Sequence, residues 1–436
     1  MDVVERVRFV ALKGSLRCLL LATLVVLVAL GLGVSAPVYA AEDGIPLGEI
    51  VFKPSVKVEA IYDSNVRRAQ LSPEADFGLQ VRPAIGLVYP GDNFRWTLDA
   101  YYRFFTYFNA GDNPDINHSD LRVFTEFGLS TRIDANRQGK VGLEFSPSLA
   151  NRPGSAGVDG STAAGSGSGE SADQQLAVSV PVKVHFRPTS AFQIFVEAGW
   201  DWSRPYYLPK AFDPNPIILG NRHKVGGGGG IDWRFFPRSH VMFSGEVSRV
   251  LWGDFDEGTV NHTAQLPATE WKLWLGIQSD LSRKISFKGL VGYGNVDFGE
   301  GNESFDVTGP GGILGQVELS LRPVLTQRLG IGFIRDFRFQ YFTNRIVETQ
   351  GYFKYRGLFF ERLQIAADFS YTYRDLAGWM TRTEHQWGAG VNVDVLIARW
   401  FHVVAGYRFS AVDPTSTNEG EYIDNRINLG VTLGFP

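Results

Sequence analysis

The chain has 436 residues, a formal net charge of −4 at pH 7 and one cysteine, Cys18. A charge this close to balance argues against a nucleic-acid binder. Aromatics make up 13% of the residues and glycines number 49, yet the chain is not hydrophobic overall, and beyond Ala41 no apolar run is long enough for a spanning helix.

The amino terminus reads as an export signal. Arg6, Arg8, Lys13 and Arg17 precede a run of Leu, Val, Ala and Gly from Leu19 to Val34, and Val38-Tyr39-Ala40 followed by Ala41 offers compact residues for cleavage. The run is about sixteen residues, short of the roughly twenty that cross a bilayer. Cys18 stands directly behind Arg17, without the small or aliphatic residues that precede a lipidated cysteine. Removing residues 1–40 leaves no cysteine, and so neither a disulfide nor a thiol nucleophile nor a thiolate metal site. The net charge becomes about −6, because four basic and two acidic residues leave with the signal. Residues 41–51 read as a short periplasmic lead and 52–435 as a single barrel domain.

Past the lead, segments of alternating hydrophobicity follow one another. Phe52 to Tyr62 carries Val56, Val58, Ala60 and Tyr62 on one face and Lys57 and Glu59 on the other. Asp76 to Tyr89 turns at Pro90-Gly91-Asp92-Asn93 into Phe94 to Phe108. There Trp96, Leu98, Ala100, Tyr102 and Phe104 oppose Arg95, Asp99 and Arg103. A wall between lipid and water calls for that many rings beside that many charges; a soluble core does not. Further strands are expected over Ser119 to Arg132, Gln138 to Ala150, Gln174 to Arg187, Ala191 to Trp202, Arg222 to Phe236, Val241 to Trp252, Glu270 to Leu281 and Ile285 to Phe298. Ile313 to Arg322, Leu329 to Phe342, Ile346 to Arg356, Leu363 to Tyr373, Glu384 to Ile397, Phe401 to Val412 and Tyr422 to Phe435 complete the set.

These strands predict an all-β fold: a transmembrane, antiparallel up-and-down barrel of about eighteen strands (sixteen to twenty). Connections alternate between two to five residues and longer spans such as Asn151 to Asp173, the habit of outer-membrane barrels with short periplasmic turns and long outer loops. Asn151 to Asp173 is Gly/Ser-rich and reads as a flexible external loop, with folding inward as a constriction the other reading. Five glycines, Gly226 to Gly230, fall inside a strand and suggest a bulge or a sharp coil of the wall. The last strand places Ile427, Leu429, Val431, Leu433 and Phe435 on one face. Closing the sheet against Phe52 to Tyr62 removes its exposed edge. Leu433 and Phe435 resemble the terminal assembly signal of outer-membrane barrels, apart from Pro436 after the Phe.

No catalytic constellation, cofactor motif or metal site is legible. The seven histidines lack ligand spacing, and Gly226 to Gly230 lacks the Lys-Ser/Thr of a phosphate loop. The chain is therefore expected not to be an enzyme. The polar strand face supplies the candidate pore lining: Arg95, Asp99, Arg103, Glu126, Glu197, Asp232, Arg338, Arg362, Asp368 and Arg408. Both signs are interspersed, so no strong ion preference follows. Tyr101, Phe105, Phe195 and Trp274 fall on the same face, where rings in a wet channel can stack on sugars or simply pack.

Tyr62-Asp63-Ser64-Asn65-Val66, closing the first strand, resembles a motif of the β-barrel porin 2 family of outer-membrane barrels. That resemblance implies export of an exopolysaccharide or capsular polysaccharide through an outer-membrane pore, with a periplasmic polysaccharide-export protein as partner. A general or substrate-selective diffusion porin is the alternative, and a surface adhesin or structural barrel with a closed lumen a third. The expected surroundings are outer-membrane lipids, the barrel assembly machinery, and polysaccharide or small solutes in the lumen of a Gram-negative outer-membrane protein.

Overall fold

Alternation along each segment is resolved by pairing every segment with the next. A computed structural model describes residues 44–65, 75–108, 123–136, 138–153, 174–206, 221–253, 266–299, 309–338, 345–377, 382–414 and 422–435. The strands are β1 (Ile45–Leu47), β2 (Ile50–Asp63), β3 (Asp76–Tyr89), β4 (Phe94–Tyr107), β5 (Val123–Ala135), β6 (Val141–Phe145), β7 (Ser148–Pro153), β8 (Gln174–Thr189), β9 (Phe192–Tyr206) and β10 (Asn221–Phe236). They continue as β11 (Ser239–Gly253), β12 (Ala268–Ser279), β13 (Ile285–Asp297), β14 (Ile313–Leu321), β15 (Gln327–Arg338), β16 (Arg345–Phe359), β17 (Leu363–Ala377), β18 (Arg382–Ala398), β19 (Phe401–Pro414) and β20 (Tyr422–Gly434). Neighbours along the chain pair antiparallel throughout, and β20 returns to β2, from Ser55 opposite Gly434 to Asp63 opposite Arg426. With β6 and β7 sharing one place in the wall and β1 outside it, the result is a closed barrel of eighteen strands. Closure removes the two free edges that an open sheet of these strands would expose.

Each expected strand is present, with ends moved by a few residues. Three local readings change. The fifth strand breaks into β6 and β7 because Pro147 has no N–H, although the register across the break is kept: Thr131 N–H donates to Pro147 O at 3.0 Å and Ser146 N–H to Pro181 O at 3.2 Å. Gly226 to Gly230 is not a bulge, since pairing to β9 and β11 runs through it without a shift. The glycines serve close approach. A Cβ on Gly226, Gly228 or Gly230 would stand 2.5–2.8 Å from a carbonyl oxygen of β11, and one on Gly227 or Gly229 within 3.0 Å of a β9 carbonyl. Shifts of register fall instead near short turns, at Phe186/Thr189, Arg234/Phe236 and Leu396/Ala398. The lead, third, is itself paired: β1 folds back on β2 with Ile45 opposite Phe52, and Gly48 turns the chain at φ 67°.

The two ends of the barrel differ. At one, eight connections run from two residues (190–191) to five (280–284). At the other, the nine connections reach twenty residues (154–173) and fall wholly or mostly outside the described residues, as does the Gly/Ser-rich loop reading. Among the described residues no helix is long and apolar enough to cross a membrane, which bears only on helices. Large apolar side chains face outward instead, with Val196 63% and Leu429 60% exposed.

Candidate functional site: the lumen wall

Residues directly opposite across an antiparallel pair share a face, so the registers sort every wall position. The exposed Val196, Val225, Val247, Leu273, Val291 and Ile331 mark the outer face. The opposite face carries most of the strand charges, and three groups of them are tied together across several strands.

The first lies across β2–β5 and β20. Glu59, only 4% exposed, accepts from Gln80 Nε2 at 2.9 Å and Asn428 Nδ2 at 2.8 Å, and pairs with Lys57 Nζ at 2.8 Å. Arg103 stands opposite Glu126 and pairs with it, and Tyr101 donates its hydroxyl to the same carboxylate at 2.6 Å. Gly128, opposite Tyr101, has no side chain where that ring lies. The Arg82 guanidinium covers the ring at 4.2 Å from its centroid.

The second group joins β10–β12 to β15. Glu270 takes Lys224 and the Ser248 hydroxyl, the latter at 2.6 Å. Lys272 sits 2.9 Å from Asp336 and 3.8 Å from Glu246, donates to Phe337 O at 3.1 Å, and lies 4.5 Å from the centre of the Phe337 ring. The third group spans β14–β18. Arg374, 2% exposed, lies between Glu348 at 3.0 Å and Glu384 at 3.8 Å, and Tyr352 donates its hydroxyl to Glu318 at 3.0 Å. Buried charges persist only when paired in this way, because removing one partner leaves the other desolvated.

Above the second group the wall departs from its own alternation. Pairing of β14 with β15 stops at Gly315 opposite Arg335, but β15 and β16 stay paired out to Arg338 opposite Ile346. Phe337 and Val347 have the parity of the outer face, yet both are buried with Ala268, Val296, Phe298 and Leu314. Ala268, Val296 and Leu314 have lumen parity. The end of the β15–β16 hairpin therefore crosses to the inside and lays its formerly outward face on the lumen side of β12–β14. Gly294 leaves room for it: a Cβ there would be 2.8 Å from the Phe337 ring. Trp274 packs against the same cluster.

The ten residues read from the sequence as pore lining are scattered around this wall. Arg95 is opposite Asp134 and Asp99 opposite Ser130, both with lumen parity. Arg103 and Glu126 form the pair described above. Glu197 pairs with Lys183 at 3.3 Å, and that Nζ also lies 3.8 Å from the centre of the Phe195 ring. Asp232 meets His240 Nδ1 at 3.0 Å. Asp368 and Arg408 flank Gly390 from β17 and β19. Arg338 ends β15, and its side chain is outside the described residues. Arg362 is a correction: it is exposed in the turn 360–362 at the short-turn end, where the chain has already left the strand.

Glu270, Lys272, Lys224 and Glu348 were not singled out in the sequence, although Glu270-Trp271-Lys272-Leu273-Trp274 already shows the alternation that puts the two charges beside Trp274. At the terminus, Leu433 stands between Val56 and Phe401, and Phe435 lies one residue beyond β20, its N–H donating to Pro54 O at 2.8 Å. Gly434, at φ 111°, turns the chain there.

The turn motif has a role in the seam. Asp63 receives Arg426 Nη2 at 2.6 Å and the Asn65 N–H at 3.0 Å. Ser64 N–H donates to Asn425 O at 2.9 Å, and Asn425 N–H returns to Ser64 Oγ at 2.8 Å. Asn65 Nδ2 reaches Ile423 O at 3.2 Å. Tyr62-Asp63-Ser64-Asn65 thus clasps the first strand to the last.

Among the described residues no group of three or more His, Cys, Asp or Glu is placed to hold a metal ion. No family model matches the chain, and no curated protein matches it. The resemblance carried by Tyr62-Asp63-Ser64-Asn65-Val66 receives no support from either comparison. Solved structures do match in outline. The crystal structure of Acinetobacter baumannii OccAB2 has a TM-score of 0.47 at 9% identity, covering 88% of this chain and 98% of that one. Acinetobacter baumannii OccAB3 gives 0.46 at 10%, covering 88% and 99%. Pseudomonas aeruginosa OccK9 (OpdG) gives 0.45 at 10%, covering 88% and 98%. At these levels the likeness extends to the barrel outline and no further.

Proposed function

We propose that the chain is an outer-membrane pore for passive diffusion of small polar solutes, selecting them by the paired charges of its lumen. The location rests on the export-signal layout, the apolar outer wall and the contrast between eight short turns and longer opposite connections. Eighteen strands are enough to enclose an aqueous channel. The observation that carries the solute reading over the polysaccharide one is the state of the lumen rings. Arg82 covers Tyr101, Lys183 covers Phe195, and Trp274 packs into the apolar cluster. A sliding sugar chain needs open ring faces, whereas paired carboxylates and cations suit small polar or charged solutes.

The test is electrical and nutritional together. In planar bilayers the purified barrel should give ohmic conductance, and a deletion strain should lose uptake of a polar solute while keeping its surface polysaccharide. A deletion that abolishes surface polysaccharide, from a barrel that conducts nothing, would overturn the proposal.

A further inference from the structure

We propose that the outer wall over β11–β14, at the short-turn end, is a binding site for one anionic glycerophospholipid. The inference rests on the outer-membrane reading above, which makes the short-turn end periplasmic and its lipid neighbour a phospholipid of the inner leaflet.

Two features meet there. The first is a groove of about 490 Å³ in the apolar wall, lined by Leu275, Ile277, Phe287, Gly289, Val291 and Val317. Its floor is Gly289, which stands directly between Ile277 on β12 and Val317 on β14 and contributes no side chain. The Phe287 ring leans over that glycine, 2.9 Å from where a Cβ would stand, and the branched Ile277 and Val317 flank it, so the groove is apolar throughout. The second feature is charge. The three turns below the groove expose Arg238, Arg283, Lys284 and Arg322 against a single carboxylate, Asp280. Hydrogen bonds between the turns fix their spacing: Asp280 N–H donates to Arg238 O at 2.9 Å, and Arg322 N–H to Lys284 O at 2.6 Å. Phe287 is three residues from Lys284, so the cations stand roughly 10 Å below the groove lining, along the strand direction. What sets this stretch apart is that three adjacent turns bring their cations together; further round the barrel Arg362 has Glu361 beside it and Arg399 is alone in its turn. An acyl chain in the groove with its phosphate on this rim satisfies both features, and basic residues at a membrane surface favour a net-negative head group over a zwitterionic one.

Native mass spectrometry of the barrel purified from cell membranes, in micelles doped with phosphatidylglycerol or phosphatidylethanolamine, reads the site directly. Wild type should retain phosphatidylglycerol preferentially. Arg283→Glu with Lys284→Glu should weaken that retention by about tenfold or more. Gly289→Leu, which fills the groove, should lower occupancy by either lipid. Equal retention of the two lipids by wild type would overturn the site. So would an unchanged Gly289→Leu variant, or an equal loss in an Arg362→Glu, Arg399→Glu control, which would mean diffuse rim charge only. Heat-modifiable mobility and outer-membrane fractionation, measured on the same samples, report separately on the location reading. A correctly inserted barrel without lipid preference sinks the site alone.

Discussion

The β2–β20 seam and the β12–β16 quadrant fill the same barrel by opposite chemistry. At the seam, Asp63 holds Arg426, Ser64 and Asn425 exchange hydrogen bonds, and Glu59 gathers Lys57, Gln80 and Asn428. In the β12–β16 quadrant a hairpin end crosses inward and buries Phe337 and Val347 on Ala268, Val296 and Leu314, with Lys272 held beneath the ring. The difference shows that strand alternation fixes which side chains start on the lumen face, but not what finally occupies the lumen. Directional bonds between buried polar groups join the chain ends in one place; apolar packing fills the lumen side in the other and is indifferent to salt.

Three substitutions probe that contrast, in descending order of effect. Phe337→Ala should cost about 3–5 kcal/mol by cavity formation and should raise single-channel conductance, since the ring occupies the lumen side. Thermal unfolding and bilayer recordings check the two halves, and a stable, unchanged channel would show that the cluster neither packs nor constricts. Asp63→Ala should cost less, about 1–3 kcal/mol, because Arg426 remains partly exposed and can be rehydrated. Its deficit should shrink between about 0.1 M and 1 M salt as the exposed end of the pair is screened in the parent. The Phe337→Ala deficit should not move, and equal salt dependence of the two would erase the comparison. Phe435→Ser should change the stability of the assembled barrel by no more than about 0.5 kcal/mol, because its contribution to the seam is a backbone N–H. It should nevertheless lower the yield of heat-modifiable barrel in the outer membrane; an unchanged yield would count against an assembly role for Phe435.

Much of the candidate site was half legible. Arg103 and Glu126 were both placed on the polar face by alternation, as were Glu197 and Asp232, but alternation says nothing about who faces whom across a strand pair. That Glu126 also takes Tyr101 depends on Gly128 standing opposite the ring. That Glu197 has Lys183, and Asp232 has His240, depends on the registers of β8–β9 and β10–β11. Arg362 was counted with the polar strand face although it lay between the expected strands Ile346 to Arg356 and Leu363 to Tyr373; Phe360 and Glu361 take positive φ and turn the chain there.

By itself the sequence determined a barrel of about eighteen strands, within sixteen to twenty, the apolar outer face and the partner of the last strand. All three follow from a two-residue period and from the need to leave no edge, and a period is local information. Tertiary structure alone decided the crossing of the β15–β16 hairpin, where Phe337 keeps outer parity in its own strand and is buried inside. It also decided the close approach of both neighbours to Gly226 to Gly230, and the conversion of Asp63-Ser64-Asn65 from a turn signal into the clasp of the seam. Each of these joins residues far apart in the chain through registers that no single strand records.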